Sequence, residues 1–109
     1  MKPTLTLNRT MLNPDNLRQE IAATLLSYGT TTNVRFGCPN PDSSAWKLGV
    51  EFIHPQGAGV VSVWQSGDCD IDFLAEGSRD GIALHGEFDS NSELLQFVTS
   101  SIPALLTQK

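Results

Sequence analysis

The sequence predicts an α+β fold, in which an antiparallel β-meander of about four to five strands has an N-terminal and a C-terminal helix packed on one face. Three observations favour this fold. Apolar residues recur at helical spacing near both ends of the chain, they alternate with polar residues in between, and turn motifs separate the alternating segments. At 109 residues, 39% of them apolar and 17% charged, the chain has the size and composition of a single domain, residues 1–109.

The first predicted helix covers residues 14–28. Asn13 is a good N-cap because its side-chain oxygen can accept from a free backbone N–H, Pro14 suits the first turn, and Gly29 is a common helix stop. The apolar residues at helical spacing, which make this helix amphipathic, are Leu17, Ile21, Leu25 and Tyr28. Before this helix, alternating threonines in residues 3–8 predict a short edge strand.

Strands are predicted along the middle of the chain. A short strand passes through Val34 and Phe36 and is followed by a loop over residues 38–44. Alternation of period two then predicts one buried and one open face. The alternating segments are residues 45–53, 60–65, 69–77 and 82–88, and the first two are separated by a turn at 54–59.

A second helix closes the chain. Ser90 and Glu93 have the spacing of a capping box, in which each side chain satisfies a backbone N–H at the helix start. The apolar stripe that follows consists of Leu94, Leu95, Val98, Ile102 and Leu105. Pro103 cannot donate to the helical ladder, so the regular helix is predicted to end or bend near Ile102.

The charge distribution excludes nucleic acid as a partner. The net charge is −5, and eight of the twelve acidic residues lie between Asp68 and Glu93 with a single base, Arg79. A phosphate backbone would be repelled by this segment. The chain also has neither a transmembrane-length apolar run nor a signal-peptide pattern at its start, which indicates no membrane association and a cytoplasmic location.

The two cysteines are expected to remain thiols in the cytoplasm. Cys69 falls among core positions and is predicted to be a small buried hydrophobe. Zinc would need about four closely spaced cysteine or histidine ligands. Since Cys38, Cys69, His54 and His85 are widely separated in the chain, no metal site is predicted.

Three aspartates alternate along one predicted strand: Asp68, Asp70 and Asp72. A calcium loop would need a glycine at its sixth position and a glutamate at its twelfth, where this chain has Phe73 and Arg79. A catalytic carboxylate pair is not excluded by spacing, because alternate strand residues lie about 7 Å apart on one face. The ordinary alternative is a solvated strand face. The row would also steer a basic partner.

Other polar and aromatic residues bear on that face. If Val61 and Val63 point to the core, Trp64 lies beside the aspartates as an aromatic anchor; core packing of Trp64 is the alternative. His54 and His85 are possible catalytic or pH-sensing groups, although surface histidines are commoner. No nucleophile can be placed beside them from the sequence.

With these residues in view, two stretches of the chain resemble the TriTu family of immunity proteins. They are "VSVWQSGDCDIDFLAEG" and "HGEFDSNSELLQFV", and the resemblance covers residues 46 to about 102. It implies a cytoplasmic protein, without enzyme activity or cofactor, that neutralises a cognate toxin. The implied toxin is a Rhs-type ADP-ribosyltransferase of type VI secretion, which uses NAD to modify elongation factor Tu and stop translation.

The charge pattern suggests which residues would meet such a toxin. Trp64, Asp68, Asp70, Asp72 and Glu87 are the candidate toxin-binding residues, which would block access of NAD or the target protein to the toxin's active site. The expected state is a monomer or a 1:1 complex with the toxin.

Other readings of the sequence stay open. The helices or the loop at 38–44 could form the binding surface instead. The protein could also be an adaptor or chaperone for a secreted effector, or a small enzyme that uses His85 and a carboxylate.

Overall fold

Five antiparallel strands and two helices make up the part of the chain that the structure, a computed structural model, describes: residues 12–38 and 45–106. The elements are α1 (Pro14–Ser27), β1 (Thr31–Gly37), β2 (Lys47–His54), β3 (Gly57–Trp64), β4 (Asp68–Ala75), β5 (Ile82–Glu87) and α2 (Asn91–Leu106). The predicted α+β fold is confirmed. The predicted strand at residues 3–8 and most of the predicted loop, residues 39–44, fall outside the described residues.

The sheet is a simple meander in which each strand pairs with the next one along the chain, in the order β1-β2-β3-β4-β5. One row of paired residues crosses all five strands: Val34, Val50, Val61, Ile71 and Leu84. Every member is aliphatic, because this row lies on the face that the helices cover. Register is set firmly here, since a slip by one residue would turn the apolar side chains toward water.

Both helices pack on that one face. α1 contacts β1 and β2, α2 contacts β4 and β5, and the two helices contact each other. Each helix buries a stripe spaced by three or four residues: Leu17, Ile21 and Leu25 in α1, and Leu94, Val98, Ile102, Leu105 and Leu106 in α2. Burying one such side chain contributes about 1.5–3 kcal/mol. Neither described helix is long and apolar enough to cross a membrane.

The two helices begin side by side. The Asn13 side chain accepts from the Asn16 N–H (3.1 Å), and the Ser90 hydroxyl accepts from the Glu93 N–H (3.3 Å), so each helix is capped. The Asn91 side chain joins the two starts, because its Oδ1 accepts from the Asn13 N–H (2.9 Å) and its Nδ2 donates to the Asn13 carbonyl (3.2 Å). This connection fixes both helices at one end of the sheet.

Of the two predicted outcomes for the second helix near Ile102, an end or a bend, the end is wrong, because α2 continues through Pro103 to Leu106. Proline removes one helical hydrogen bond and strains the preceding turn. Ile102, Leu105 and Leu106 are all buried, however, and only a continued helix brings the last two onto the apolar face. Burial of these side chains outweighs the cost of the proline.

The predicted turn at residues 54–59 is too long, since only Pro55 and Gln56 form the turn and β3 begins at Gly57. The register places Gly59 between Phe52 and Phe73, whose rings stack with centroids 6.2 Å apart. A side chain at Gly59 would collide with the Phe52 ring. The glycine therefore belongs to the strand, where it lets two phenylalanines of neighbouring strands pack.

Cys69 lies on the covered face and is fully buried, as predicted, whereas Cys38 is exposed; both are free thiols. Burial, with a smaller contribution from the Asp70 carboxylate, raises the pKa of Cys69 to about 12. The Cys69 thiol is therefore a packing group without nucleophilic character at neutral pH.

Candidate binding surface on the open sheet face

The second face of the sheet is left open by both helices, and the alternating acidic residues lie on it. We name as the acidic surface the five residues Trp64, Asp68, Asp70, Asp72 and Glu87. The side chains of Asp68, Asp70 and Glu87 are 40%, 36% and 76% exposed. Trp64 belongs to this face because Val61 and Val63, of the opposite parity on β3, are buried. Neither helix forms a roof over these carboxylates.

The strand register brings a histidine into the middle of the acidic surface. His85 of β5 pairs with Asp70 of β4, and Glu87 pairs with Asp68. His85 Nδ1 is hydrogen-bonded to Asp70 Oδ1, while Nε2 lies 3.7 Å from Asp68 Oδ1 and 3.6 Å from Glu87 Oε2. One imidazole therefore contacts three carboxylates that are up to 19 residues apart in the chain. We call His85 and these three carboxylates the cluster.

These contacts determine the charge of His85. The hydrogen bond to Asp70, followed by that to Glu87 and by the charges of Asp70 and Asp68, raises the pKa of His85, and desolvation opposes this only in part. The protonated ring would offset part of the repulsion among the carboxylates. The sequence analysis joined His85 to an unspecified carboxylate and missed Asp70 as its partner, because the two residues lie 15 positions apart in the chain.

In the part of the chain that the structure describes, no hydroxyl or thiol is hydrogen-bonded to the His85 imidazole. The Ser66 hydroxyl lies near this ring, but it donates to Asp68 Oδ2 (2.8 Å) and not to the imidazole. Nε2 of His85 faces Asp68 and Glu87, which are acceptors like itself when the ring is neutral. The group is thus arranged for charge pairing between carboxylates and a cation.

A shallow notch of about 270 Å³ opens between the tryptophan and this cluster. It is lined by Trp64, Ser66, Asp68, Asp70 and His85. The notch combines an aromatic wall with carboxylate oxygens, which suits a guanidinium or ammonium group: the cation can pair with a carboxylate and lie against the ring.

A tight turn at Gly67 sets the position of the first aspartate. Gly67 has φ +100°, which suits glycine, and a side chain there would strike the Phe88 carbonyl. Its N–H donates to the Trp64 carbonyl (2.9 Å), and its carbonyl accepts from the Phe88 N–H (2.9 Å). The turn thereby ties the start of β4 to the residue after β5, and holds Asp68 opposite Glu87.

Two of the residues singled out in the sequence lie apart from the cluster. Asp72 pairs with Val60 and Ala83 in the register, so it extends the acidic surface along β4 without touching His85. His54 lies at the β2–β3 turn, where its Nδ1 accepts from the Gln56 N–H (2.9 Å). Its ring therefore has a local role in that turn.

Three of the clustered side chains could share a divalent cation. Ligand atoms of Asp68, His85 and Glu87 lie within 4.8 Å of one another. This set differs from the cysteine and histidine combination considered in the sequence, in which Cys69 turns out to face the core. Nor does the aspartate segment form a calcium-type loop, since it is an extended strand.

Toward β1 and β2, the same open face holds a depression whose charge differs from that of the acidic surface. It has a volume of about 450 Å³ and includes Arg35, Lys47, Gly49, Glu51 and Ser62 in its lining. Arg35 Nε lies 3.3 Å from Glu51 Oε2. The Lys47 amino group lies 4.9 Å from the centroid of the Trp64 ring. The period-two alternation predicted that Lys47, Gly49 and Glu51 share one face of the strand. It did not predict a depression there.

A scan against protein-family models gave no match for this chain, and neither did searches of curated proteins and of solved structures.

Proposed function

We propose that this protein is an immunity protein that binds and neutralises a cognate ADP-ribosyltransferase toxin, and thereby protects elongation factor Tu and translation in the cytoplasm. The partner class follows from the resemblance to the TriTu family. The acidic surface is the proposed docking site. The single observation that carries this proposal is that the alternating carboxylates are exposed on the sheet face that neither helix covers.

The charges of this surface suit a basic protein partner. Asp68, Asp70, Asp72 and Glu87 project from two adjacent strands, so their negative potentials add. Such a field accelerates encounter with a basic surface, and carboxylates can form bidentate hydrogen bonds with arginine on contact. NAD is itself an anionic ligand, so a basic NAD-binding cleft is a fitting target for this surface.

Trp64 adds an apolar contact at the edge of the same surface. Its side chain is partly exposed and borders the notch with Asp68 and Asp70. Tryptophan beside charged groups is a frequent hot spot of protein interfaces, because its large ring excludes water from the neighbouring polar contacts. Binding of this kind inhibits by covering the toxin's cleft and requires no chemistry from the inhibitor.

The test uses the toxin domain encoded by the gene immediately upstream. Asp68, Asp70 and Asp72 are replaced together by Asn, and the dissociation constant and the ADP-ribosylation of elongation factor Tu are measured from low to high salt. We expect affinity to fall by on the order of 100-fold, with a weaker salt dependence, because charge pairs in the interface are lost. Inhibition should be lost in parallel.

A matched control neutralises three acids on the helical side, Asp15→Asn, Glu20→Gln and Glu93→Gln, which gives the same net charge. This variant should bind nearly as the wild type does. Equal affinity of the folded aspartate variant and the wild type would remove the acidic surface from the mechanism. An adaptor would bind the effector and leave ADP-ribosylation unchanged, and an upstream gene without such a domain would contradict the proposed partner.

A further inference from the structure

The depression and the acidic surface lie on the same face in a fixed relation. One row of the register runs through Arg35, Gly49, Ser62, Asp70 and His85. Gly49 is on β2 and Asp70 is on β4, so two strand spacings separate them, about 10 Å. A partner that covers the acidic surface therefore also reaches the depression.

The depression exists because residue 49 has no side chain. A Cβ built on Gly49 would meet only the Arg35 carbonyl, at 3.9 Å, which is an ordinary contact. The space above this glycine is open, and neighbouring side chains form its walls. A side chain from another molecule can enter there without any rearrangement of the sheet.

The charge of the depression is opposite to that of the acidic surface. Its two bases are Arg35 and Lys47, and its one acid is Glu51, whose oxygens are held by Asn33 (3.1 Å) and Arg35 (3.3 Å). Among the described residues, Lys47 has no carboxylate partner and rests over the Trp64 ring. Counted over the described lining residues, the depression thus has one more base than it has acids.

We infer that the toxin inserts an acidic side chain into the depression over Gly49, between Lys47 and Arg35, while its basic residues meet the acidic surface. This inference rests on the proposed function and deepens it. The toxin surface then has charges of both signs, with their centres about 10 Å apart. If the toxin docked in a rotated orientation, like charges would come together. A face that carries charges of both signs therefore favours a single docking orientation.

The test fills the depression and, separately, removes its charge. Gly49→Val adds a side chain with high strand propensity in open space, so the variant should fold at least as stably as the wild type. We expect its affinity for the upstream toxin domain to fall by about tenfold or more, because the acidic side chain is excluded. Lys47→Gln should weaken binding by about tenfold through loss of one charge pair.

Matched controls are Ala58→Val, exposed at the far end of the same face, and Arg18→Gln on α1; both should bind as the wild type does. If Gly49→Val fails to fold, Lys47→Gln decides the matter. Wild-type affinity of Lys47→Gln, combined with weak binding of the triple aspartate variant, would overturn this inference and leave the proposed function intact. No binding by the wild type would overturn both.

Discussion

His85, when protonated, reduces the electrostatic repulsion among the carboxylates of the acidic surface. It contacts Asp70 through Nδ1 and approaches Asp68 and Glu87 through Nε2. Without a cation these carboxylates would repel one another across two adjacent strands. The imidazole therefore links the charge of the surface to pH, and a basic residue of a partner would compete with the imidazolium for the same oxygens.

This arrangement predicts a specific titration. The pKa of His85 is raised chiefly by the Asp70 hydrogen bond. Its folded pKa thus lies above the unfolded value of about 6.5, so its contribution to stability is fully present below that pH. The contribution is lost as pH rises through the folded pKa. In NMR titrations of the ring protons, Asp70→Asn should lower the midpoint of His85.

Asp72→Asn is the control for that titration, because Asp72 lies on the same strand face but does not touch the ring. It should leave the midpoint nearly unchanged. Equal midpoints in the wild type and Asp70→Asn would show that the hydrogen bond is not the main cause.

Thr30 is a second residue with a measurable consequence. It is buried between α1 and β1, and its hydroxyl has no hydrogen-bond partner within residues 12–38 and 45–106. A buried polar group without a partner costs about 1–3 kcal/mol, and valine has nearly the same shape. Thr30→Val should therefore raise the free energy of unfolding by about 1 kcal/mol in urea denaturation. The exposed neighbour provides the control, Thr31→Val, and a destabilised Thr30→Val would indicate that the hydroxyl is satisfied.

At the scale of elements, Asn91 is the contact that fixes the helices to each other. Its side chain makes hydrogen bonds to the backbone of Asn13 and to the side chain of Asn16. Asn91→Ala should lower the free energy of unfolding by about 1–2 kcal/mol, because these groups lose their partner in a half-buried place. Ser92→Ala, on the exposed side of the same helix start, should change it far less.

Thermal unfolding monitored by circular dichroism measures this effect. If Asn91→Ala and Ser92→Ala had equal midpoints, packing alone would account for the helix–helix contact.

The elements were predictable where local pattern and burial agree. Alternation identified the strands, and the capping residues identified the helix starts. The errors occurred where tertiary packing overrides local rules. Gly59 looked like a turn residue but lies between two phenylalanine rings, and Pro103 looked like a helix end but precedes two buried leucines.

The candidate site was predictable by face but not by partner. Parity put the aspartates on one side of β4, but it left Trp64 open between that face and the core until the burial of Val61 and Val63 decided its side. The contact of His85 with Asp70 depends on the register of β4 and β5, which is set by the intervening turn from Glu76 to Gly81. No local signal in the sequence predicts the register of β4 and β5. The depression at Gly49 required the positions of three neighbouring strands.

At the scale of the whole molecule, stability and the proposed binding depend on different sides of the sheet. The helical side of the sheet forms the hydrophobic core, and the open side holds charges that contribute little to folding. Substitutions on the open face should therefore change binding without unfolding the protein. This separation is what makes the charge variants interpretable as tests of function.

The order of the strands has a kinetic consequence. Every strand pairs with its neighbour in the chain, so the meander can zip hairpin by hairpin with little loop-closure entropy. The contact between Asn13 and Asn91 joins residues 78 positions apart, and closing that interval is the most demanding step. We therefore expect the hairpins to form ahead of the barrier and the two helix starts to meet only after it, so that loosening this junction speeds unfolding and hardly slows refolding.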